Sequence, residues 1–508
     1  MVKLDKIYKN ILQKQSVDGA TKQALFIIYD EMGEKGVQRF LGHIGRYLKT
    51  VPLVQVHLCS YFYYKKPNKE YFEFILNLIR DNKLDFMMSH NLYKQISRIS
   101  ELNDQPLLTD YKDKYFVWKY IYEKFSHEIN TRKYKTYNQK SNIVVVATGQ
   151  LLEETHAPTA ITIQKCRQFL SLGKEVVLVV TGDVLLTENV FIGCLQGRYT
   201  APHIGMGELD LGDNLSITYY HPALENYTLD TMKIILNYIY GLKPELVYQI
   251  GGGSVIIDAC NLFTKVATQS LSMDIPVAMS RIIVPVRRLD EEEMCFLNKH
   301  EHEFITLEMA KHYVQPLENI QLPRFEDIKT KEEFEIDKSK FVMAIVGNRL
   351  DIELKSYYLE LLERIIKIDS SVYIVFIGTF DYEGLFANRP IILKNSIHLG
   401  YQENLKSTLT MCDLFLNPPR KGGGIGALWA IQVDVPVVTF GNCDVALNVG
   451  ENFICEDNEE YFQTIKKYVI DKEFYKLKQQ QCKELIYLHR LYNPREVFRA
   501  FVELIEKL

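Results

Sequence analysis

The hydrophobic pattern changes period along the chain. Up to about residue 140, apolar positions recur at helical spacing, as in YFEFILNLIRDN (Tyr71–Asn82) and YFVWKYIYEKFSHEI (Tyr115–Ile129). This stretch is rich in Tyr, Lys, Asn and Leu and poor in glycine, and it predicts a mostly helical appendage over residues 1–140. Its tyrosines read as core packing and half-buried helix faces. At Asn142 the texture changes. NIVVVATG is a short β-branched run with the look of a buried parallel strand. A helix-like stretch, PTAITIQKCRQFLSLG, ends in Gly173 as a C-cap, and EVVLVVTGD is the next strand. SITYYH, a helix around Leu229–Tyr240, LVYQIGGGS, another helix and IPVAMSRIIVPV follow.

Strands alternating with helices predict an α/β layer with a parallel sheet. Between about Pro285 and Ser339 the chain turns acidic, which predicts an irregular excursion and interdomain linker. The alternation then restarts with FVMAIVGNR, LKSYYLELLERIIKI, VYIVFIG, SIHLGY, NLKSTLTMC, LFLNPP, a glycine loop, a helix and VPVVTFGN, before a helical tail. The expected organisation is a helical appendage (1–140), one α/β domain (141–335), a second (336–490) and a final helix (491–508), with a cleft between the two α/β halves.

Composition narrows the classes. At 508 residues the chain is too long for one ordinary core. With 47% apolar and 24% charged residues it reads as globular. A net charge of −4 without a long basic stripe argues against a nucleic-acid partner; the short basic-aromatic KYKTYNQK (Lys133–Lys140) reads as a solvated linker. The nine cysteines form no CxxC pair and suit buried thiols in a reducing compartment. The N-terminus lacks the apolar stretch of a signal peptide, and no apolar run reaches the ~20 residues of a membrane helix. The expected location is cytoplasmic. No metal-ligand spacing such as HExxH and no GxSxG elbow occurs, so no metal and no cofactor are expected; the HEHE run (His300–Glu303) reads as an exposed helical segment.

Four predicted strand ends carry glycine: Gly149, Gly251–Gly253, Gly347 and Gly422–Gly424. In open α/β sheets ligands bind beyond the carboxyl ends of the strands. A helix N-terminus there offers free N–H groups and partial positive charge, and glycine lets a diphosphate approach closely. The last loop, PPRKGGGIG, is the strongest of the four because Arg420 and Lys421 flank it. It lacks the GK[ST] of a P-loop, and it sits too late in its domain for a first-strand dinucleotide fingerprint.

The order of these motifs resembles the GT-B glycosyltransferases over roughly residues 140 to 508. CDLFLNP, GGGIGALWAIQVDVPVV and NVGENFICEDNEEYFQTIKKYVIDKEFY follow that family's strand, glycine loop, helix and Pro-Val strand. TGQLLEETHAPT is similar to the His-Pro-Thr segment of the O-linked N-acetylglucosamine transferases and related bacterial adhesin glycosyltransferases, with Ala157 inserted. The resemblance implies two tandem Rossmann-like domains, a C-terminal helix returning across the cleft, and a nucleotide-sugar donor, UDP-linked and used without an obligate metal. Many retaining members carry two glutamates eight positions apart beside the glycine loop; here those positions are Lys421 and Trp429, neither of which accepts hydrogen bonds as a carboxylate does.

Within that frame, Arg349, Lys421 and the amides of Gly422, Gly423 and Gly424 are expected to hold the diphosphate. Asn348 is a donor contact, and Asp444 or Glu451 is expected to hold the ribose. Gly251 and Gly252 would wall the acceptor or donor sugar, and His156 would position the acceptor or act as base, with Glu153 and Glu154 as alternatives. Arg349 equally suits a surface ion pair, Asn348 an ordinary turn and His156 a satisfied helix-start histidine. The acceptor class is a protein side chain or surface glycan. Two other readings stand beside this one: a non-catalytic GT-B-like partner subunit, motivated by the missing glutamates, and a nucleotide-sugar epimerase of similar fold. The oligomeric state stays open.

Overall fold

The computed structural model describes residues 55–56, 59–60, 63, 69–102, 111–139, 141–152, 157–183, 203–223, 227–271, 274–287, 289–305, 328–420, 422–441, 443–491 and 494–508. The chain divides into two compact units, the first built from residues up to Phe304 and the second mostly from Ile305–Leu508.

Among the described residues, the first unit includes the helices α1 (Lys69–Arg80), α2 (Phe86–Leu102) and α3 (Tyr111–Glu128). An α/β layer follows: β1 (Ile143–Thr148), α4 (Ala157–Ser171), β2 (Glu175–Val180), β3 (Gly205–Gly212), β4 (Leu215–His221), α5 (Leu229–Leu242), β5 (Leu246–Ile250), α6 (Val255–Ala259), β6 (Lys265–Gln269), β7 (Ile282–Val284), α7 (Glu291–Lys299) and β8 (Glu303–Phe304). The strands form one sheet in the order β3-β4-β2-β1-β5-β6-β7-β8. Every pair is parallel except β3–β4.

The helices and the sheet share one core. Trp118, Ile121 and Phe125 of α3 are buried in the same cluster as Val145 and Ala147 of β1, Val177 and Val179 of β2, and Val247 of β5. Burial of such side chains stabilises by ~1.5–3 kcal/mol each before the entropy of ordering them is counted.

Three sequence expectations are corrected here. First, the parallel sheet carries one antiparallel pair at its edge. GMGELDLG forms β3, joined to β4 by a two-residue turn in which Asp213 and Asn214 both take positive φ, 54° and 59°, the backbone that suits a tight hairpin. Second, the acidic stretch after Pro285 is not irregular throughout. Asp290 and Glu293 cap α7 reciprocally, Glu293 N donating to Asp290 Oδ1 (2.8 Å) and Asp290 N to Glu293 Oε2 (3.0 Å). Glu291, Glu292 and Glu293 then face the positive end of that helix. Third, the HEHE run is a turn entering a strand. Glu301 takes φ 62°, His302 is buried between Ser280 O (2.8 Å) and the Tyr115 hydroxyl (3.2 Å), and Glu303 starts β8.

The second unit runs β9 (Phe341–Val346), α8 (Leu350–Glu353), α9 (Ser356–Ile366), β10 (Val372–Ile377), α10 (Tyr382–Phe386), α11 (Pro390–Lys394), β11 (Ser396–His398), α12 (Leu405–Leu409), β12 (Leu414–Leu416), α13 (Gly424–Gln432), β13 (Val437–Phe440), α14 (Asp444–Val449), β14 (Ile454–Cys455), α15 (Asn458–Ile470), α16 (Lys472–Leu491) and α17 (Pro494–Lys507). Its sheet is parallel throughout, in the order β11-β10-β9-β12-β13-β14. Both faces are covered. Met343 and Ile345 of β9 join α9 and α15, whereas Val342 and Ala344 join α13 and α16. That is why the strands read as unbroken apolar runs rather than alternating ones.

Seven of the eight described cysteines are buried and all eight are free thiols; Cys295 is exposed. No described helix is long and apolar enough to cross a membrane.

Candidate functional site

In each sheet the chain builds outward on one side and then returns to the other side of its first strand. The order reverses between β1 and β5 in the first unit and between β9 and β12 in the second. Such reversals leave a crevice at the carboxyl ends of the two strands. All four glycine signals fall there. Gly149 follows β1 and Gly251–Gly253 follow β5; Gly347 follows β9 and Gly422–Gly424 follow β12.

At the second reversal, α13 begins directly after the glycine loop. Its N-cap is Gly423, held at φ 106°, and no side chain caps the helix. The first amides of α13 are therefore left to solvent or a ligand. Gly422 has no atom within 4 Å of the place a Cβ would occupy, so this side of the loop is open.

Arg420 faces the other way. Its side chain is only 6% exposed. Nε donates to Asn417 Oδ1 (2.9 Å), Nη1 to Glu353 Oε2 (2.9 Å) and Nη2 to the Val346 carbonyl at the end of β9 (2.6 Å). The guanidinium fills the space beneath two glycine loops. A Cβ on Gly347 would lie 2.5 Å from Nη1, and one on Gly423 would lie 2.7 Å from Nη2. The network continues through Asn417, whose Nδ2 donates to Thr439 Oγ1 (3.0 Å) and whose carbonyl accepts from the Tyr461 hydroxyl (3.2 Å). Tyr461 meets Tyr358 hydroxyl to hydroxyl at 3.0 Å, and burial pushes both phenols above their ordinary range.

Arg349 lies on the outer side, 62% exposed, with Nη2 3.3 Å from Glu353 Oε1. Glu353 therefore receives both arginines, one buried and one at the surface. Asn348 braces the neighbouring loop, its Oδ1 accepting from Thr379 N at 2.9 Å. Tyr401, half exposed and next to Gly400 (φ 64°) beyond β11, is an aromatic surface at the same sheet edge that sequence reasoning did not single out. Trp429 is partly buried against the core beneath α13. Asp444 is the first residue of α14, and Glu451 opens a short 3₁₀ turn just beyond it.

The first reversal is packed differently. Gly251 N donates to Gln269 O (2.8 Å) and Gly253 N to Val277 O (2.7 Å), so those amides are already committed. A Cβ on Gly252 would come within 2.9 Å of Val277 N. From the helical region, Lys94 Nζ donates to the Gly253 carbonyl and lies 5.2 Å from the Trp118 ring centroid. Trp118 Nε1 donates to Asp258 Oδ2 (2.7 Å) and Met279 N to Asp258 Oδ1 (2.8 Å). Asp258 is fully buried, and that burial pushes its carboxyl up to about 7. These glycines serve close packing of the loop against its neighbours. His156, Glu153, Glu154 and Lys421 lie outside the described residues.

No family model matches the chain, and no curated protein matches it. Solved structures do. A mutant O-GlcNAc transferase from Thermobaculum terrenum superposes over 100% of this chain and 97% of its own, with a TM-score of 0.54 at 10% sequence identity. A glycosyltransferase from Rickettsia africae covers 73% of this chain and 99% of its own, with a TM-score of 0.46 at 10% identity. The Anabaena protein HepE, solved with UDP and glucose, covers 72% of this chain and 100% of its own, with a TM-score of 0.45 at 12% identity. At 10% identity the likeness to the Thermobaculum structure shows the fold alone. The two parallel-dominated sheets are those of the GT-B fold, and the resemblance read from the motif order holds at that level.

Proposed function

We propose that this chain is a glycosyltransferase that moves a sugar from a nucleoside-diphosphate donor, a UDP-sugar, to a protein side chain or a surface glycan. The observation that carries this is the uncapped N-terminus of α13, opened by Gly423 at the β9/β12 reversal. Sugar transfer asks the protein mainly to manage charge: the glycosidic C–O bond to the diphosphate breaks, and negative charge grows on the departing phosphate. Backbone N–H groups and cations fixed at that place stabilise it without reorganisation. In this reading the amides of Gly423 and Gly424 meet the β-phosphate, and Arg349 and Lys421 add positive charge. Arg420 does not join them, because Glu353 and two oxygen acceptors already take its guanidinium. Tyr401 offers a ring face for the base, Asp444 or Glu451 a grip on the ribose, and His156 a base for the acceptor.

A second reading, a GT-B-like partner subunit that does not bind donor, is favoured by one observation: Lys421 and Trp429 stand where two carboxylates are common, and Trp429 is committed to packing. Calorimetric titration with UDP, using GDP and ADP as controls, separates the two. Saturable UDP binding that weakens in Lys421→Ala supports transfer. No binding of any nucleotide by the folded chain removes it and leaves the partner subunit.

A further inference from the structure

Between β12 and α13 lie seven residues, Asn417–Gly423, of which two are proline and two glycine, and a further glycine, Gly424, opens the helix. Two consecutive glycines running into a third at the helix start give a loop many accessible conformations, and each must be surrendered when a ligand needs the amides in one place. Something must hold this loop before the ligand arrives. The geometry points to Arg420 as that positioning residue: it fixes the glycine loop from beneath and so sets donor affinity without touching the donor. The consequence for affinity rests on the sugar-nucleotide reading above; the fixing of the loop does not.

One side chain ties the start of the loop and lies against its end. Nε reaches back to Asn417, which is itself bonded through its main-chain N to Val438 O (2.9 Å) on β13. Nη2 reaches across the reversal to Val346 O on β9. The guanidinium also lies against the place Gly423 would have a Cβ, so the turn into α13 closes over it. Three bonds in three directions require a planar fork, which lysine, a point charge with a tetrahedral head, does not reproduce. The charge is balanced on the spot by Glu353, 17% exposed, at 2.9 Å. An arginine meant for a diphosphate would face outward, as Arg349 does; this one is bonded through all three nitrogens and faces in.

The test compares the parent chain with Arg420→Lys in two measurements. Hydrogen exchange without nucleotide is followed in peptides spanning residues 417–432, which include the Ala427 amide that donates to Gly423 O at 3.2 Å. UDP affinity is measured by calorimetry on the same samples. The expected result is exchange in that segment at least tenfold faster, unchanged exchange in β9 and β10, and a UDP dissociation constant raised at least tenfold. Unchanged exchange in a folded Arg420→Lys chain overturns the proposal. Faster exchange with unchanged UDP affinity also overturns it, because the anchor then has no bearing on the donor. If Arg420→Lys does not fold, Glu353→Gln keeps an acceptor for Nη1 while removing the opposing charge, and its exchange is read in the same way. A parent chain that binds no nucleotide sinks the donor reading, and the exchange result alone then carries or overturns the role of Arg420 in fixing the loop.

Discussion

Gly422 and Gly423 are neighbours with different reasons to be glycine, and substitution separates them. Gly423 needs its φ of 106°, and a methyl group there would strike Arg420 at 2.7 Å. Gly423→Ala should destabilise the second unit by ~1–3 kcal/mol, read as a lower urea midpoint with unchanged slope. Gly422 has open space around it. Gly422→Ala should leave the midpoint within ~0.5 kcal/mol of the parent and still weaken UDP binding at least about tenfold, since the methyl group would occupy the ligand's side of the loop. Equal UDP affinity in that variant would move the phosphate away from Gly422. For Lys421→Ala, the expected loss is at least about tenfold in kcat/KM, roughly 1.4 kcal/mol of transition-state stabilisation. Steady-state kinetics with unchanged constants would take Lys421 out of the site.

At the scale of elements, the bond between α3 and α6 carries a pH dependence. Asp258 accepts from Trp118 inside the shared core, and burial raises its carboxyl to about 7 against an unfolded value near 4. The folded chain therefore holds an extra proton between those values, so this group's stabilisation is full at low pH and is lost as pH rises through about 7. His90 works in the opposite sense. Burial, with Lys94 nearby, holds it well below the usual imidazole range, so its contribution falls as pH drops below about 6.5. Asp258→Asn should thus gain stability relative to the parent between pH 5 and pH 8, measured by urea unfolding; a constant difference across that range would show that Asp258 stays ionised.

Much of this architecture was legible. Near-continuous apolar runs gave β1, β2, β9 and β10, because both faces of those strands are covered, and β5 reads the same way although Gln249 is buried within it. The strand β3 was not, because an edge strand with exposed Met206, Glu208 and Asp210 has no such run, and only its Asp213-Asn214 turn marked it. The acidic helix α7 was hidden by composition, although its Asp-x-x-Glu capping box was in plain view. For the site, glycine at the strand ends found both crevices, but the sequence carries no mark of direction. Arg420 and Arg349 read alike until the fold turns one inward and leaves the other at the surface.

For the molecule as a whole, the described helices α1–α3 are not a detachable addition to the first sheet. Trp118 and Phe125 are fully buried in the cluster that contains Val145, Val177 and Val247. A chain beginning at residue 141 would uncover that face and leave a contiguous apolar patch on the sheet. It should be recovered as aggregate, or lack a cooperative thermal transition for the first unit; a soluble, cooperatively folding 141–508 would contradict the shared core. The same feature sets a timetable for synthesis. That cluster runs from Val56 to Val266, so the helices leave the ribosome long before the strands they pack on. At ~5–20 residues per second the wait is on the order of ten seconds, during which a greasy, tyrosine-rich surface has nothing to sit against. A nascent chain paused between residues 130 and 250 is therefore the form of this protein most in need of a chaperone.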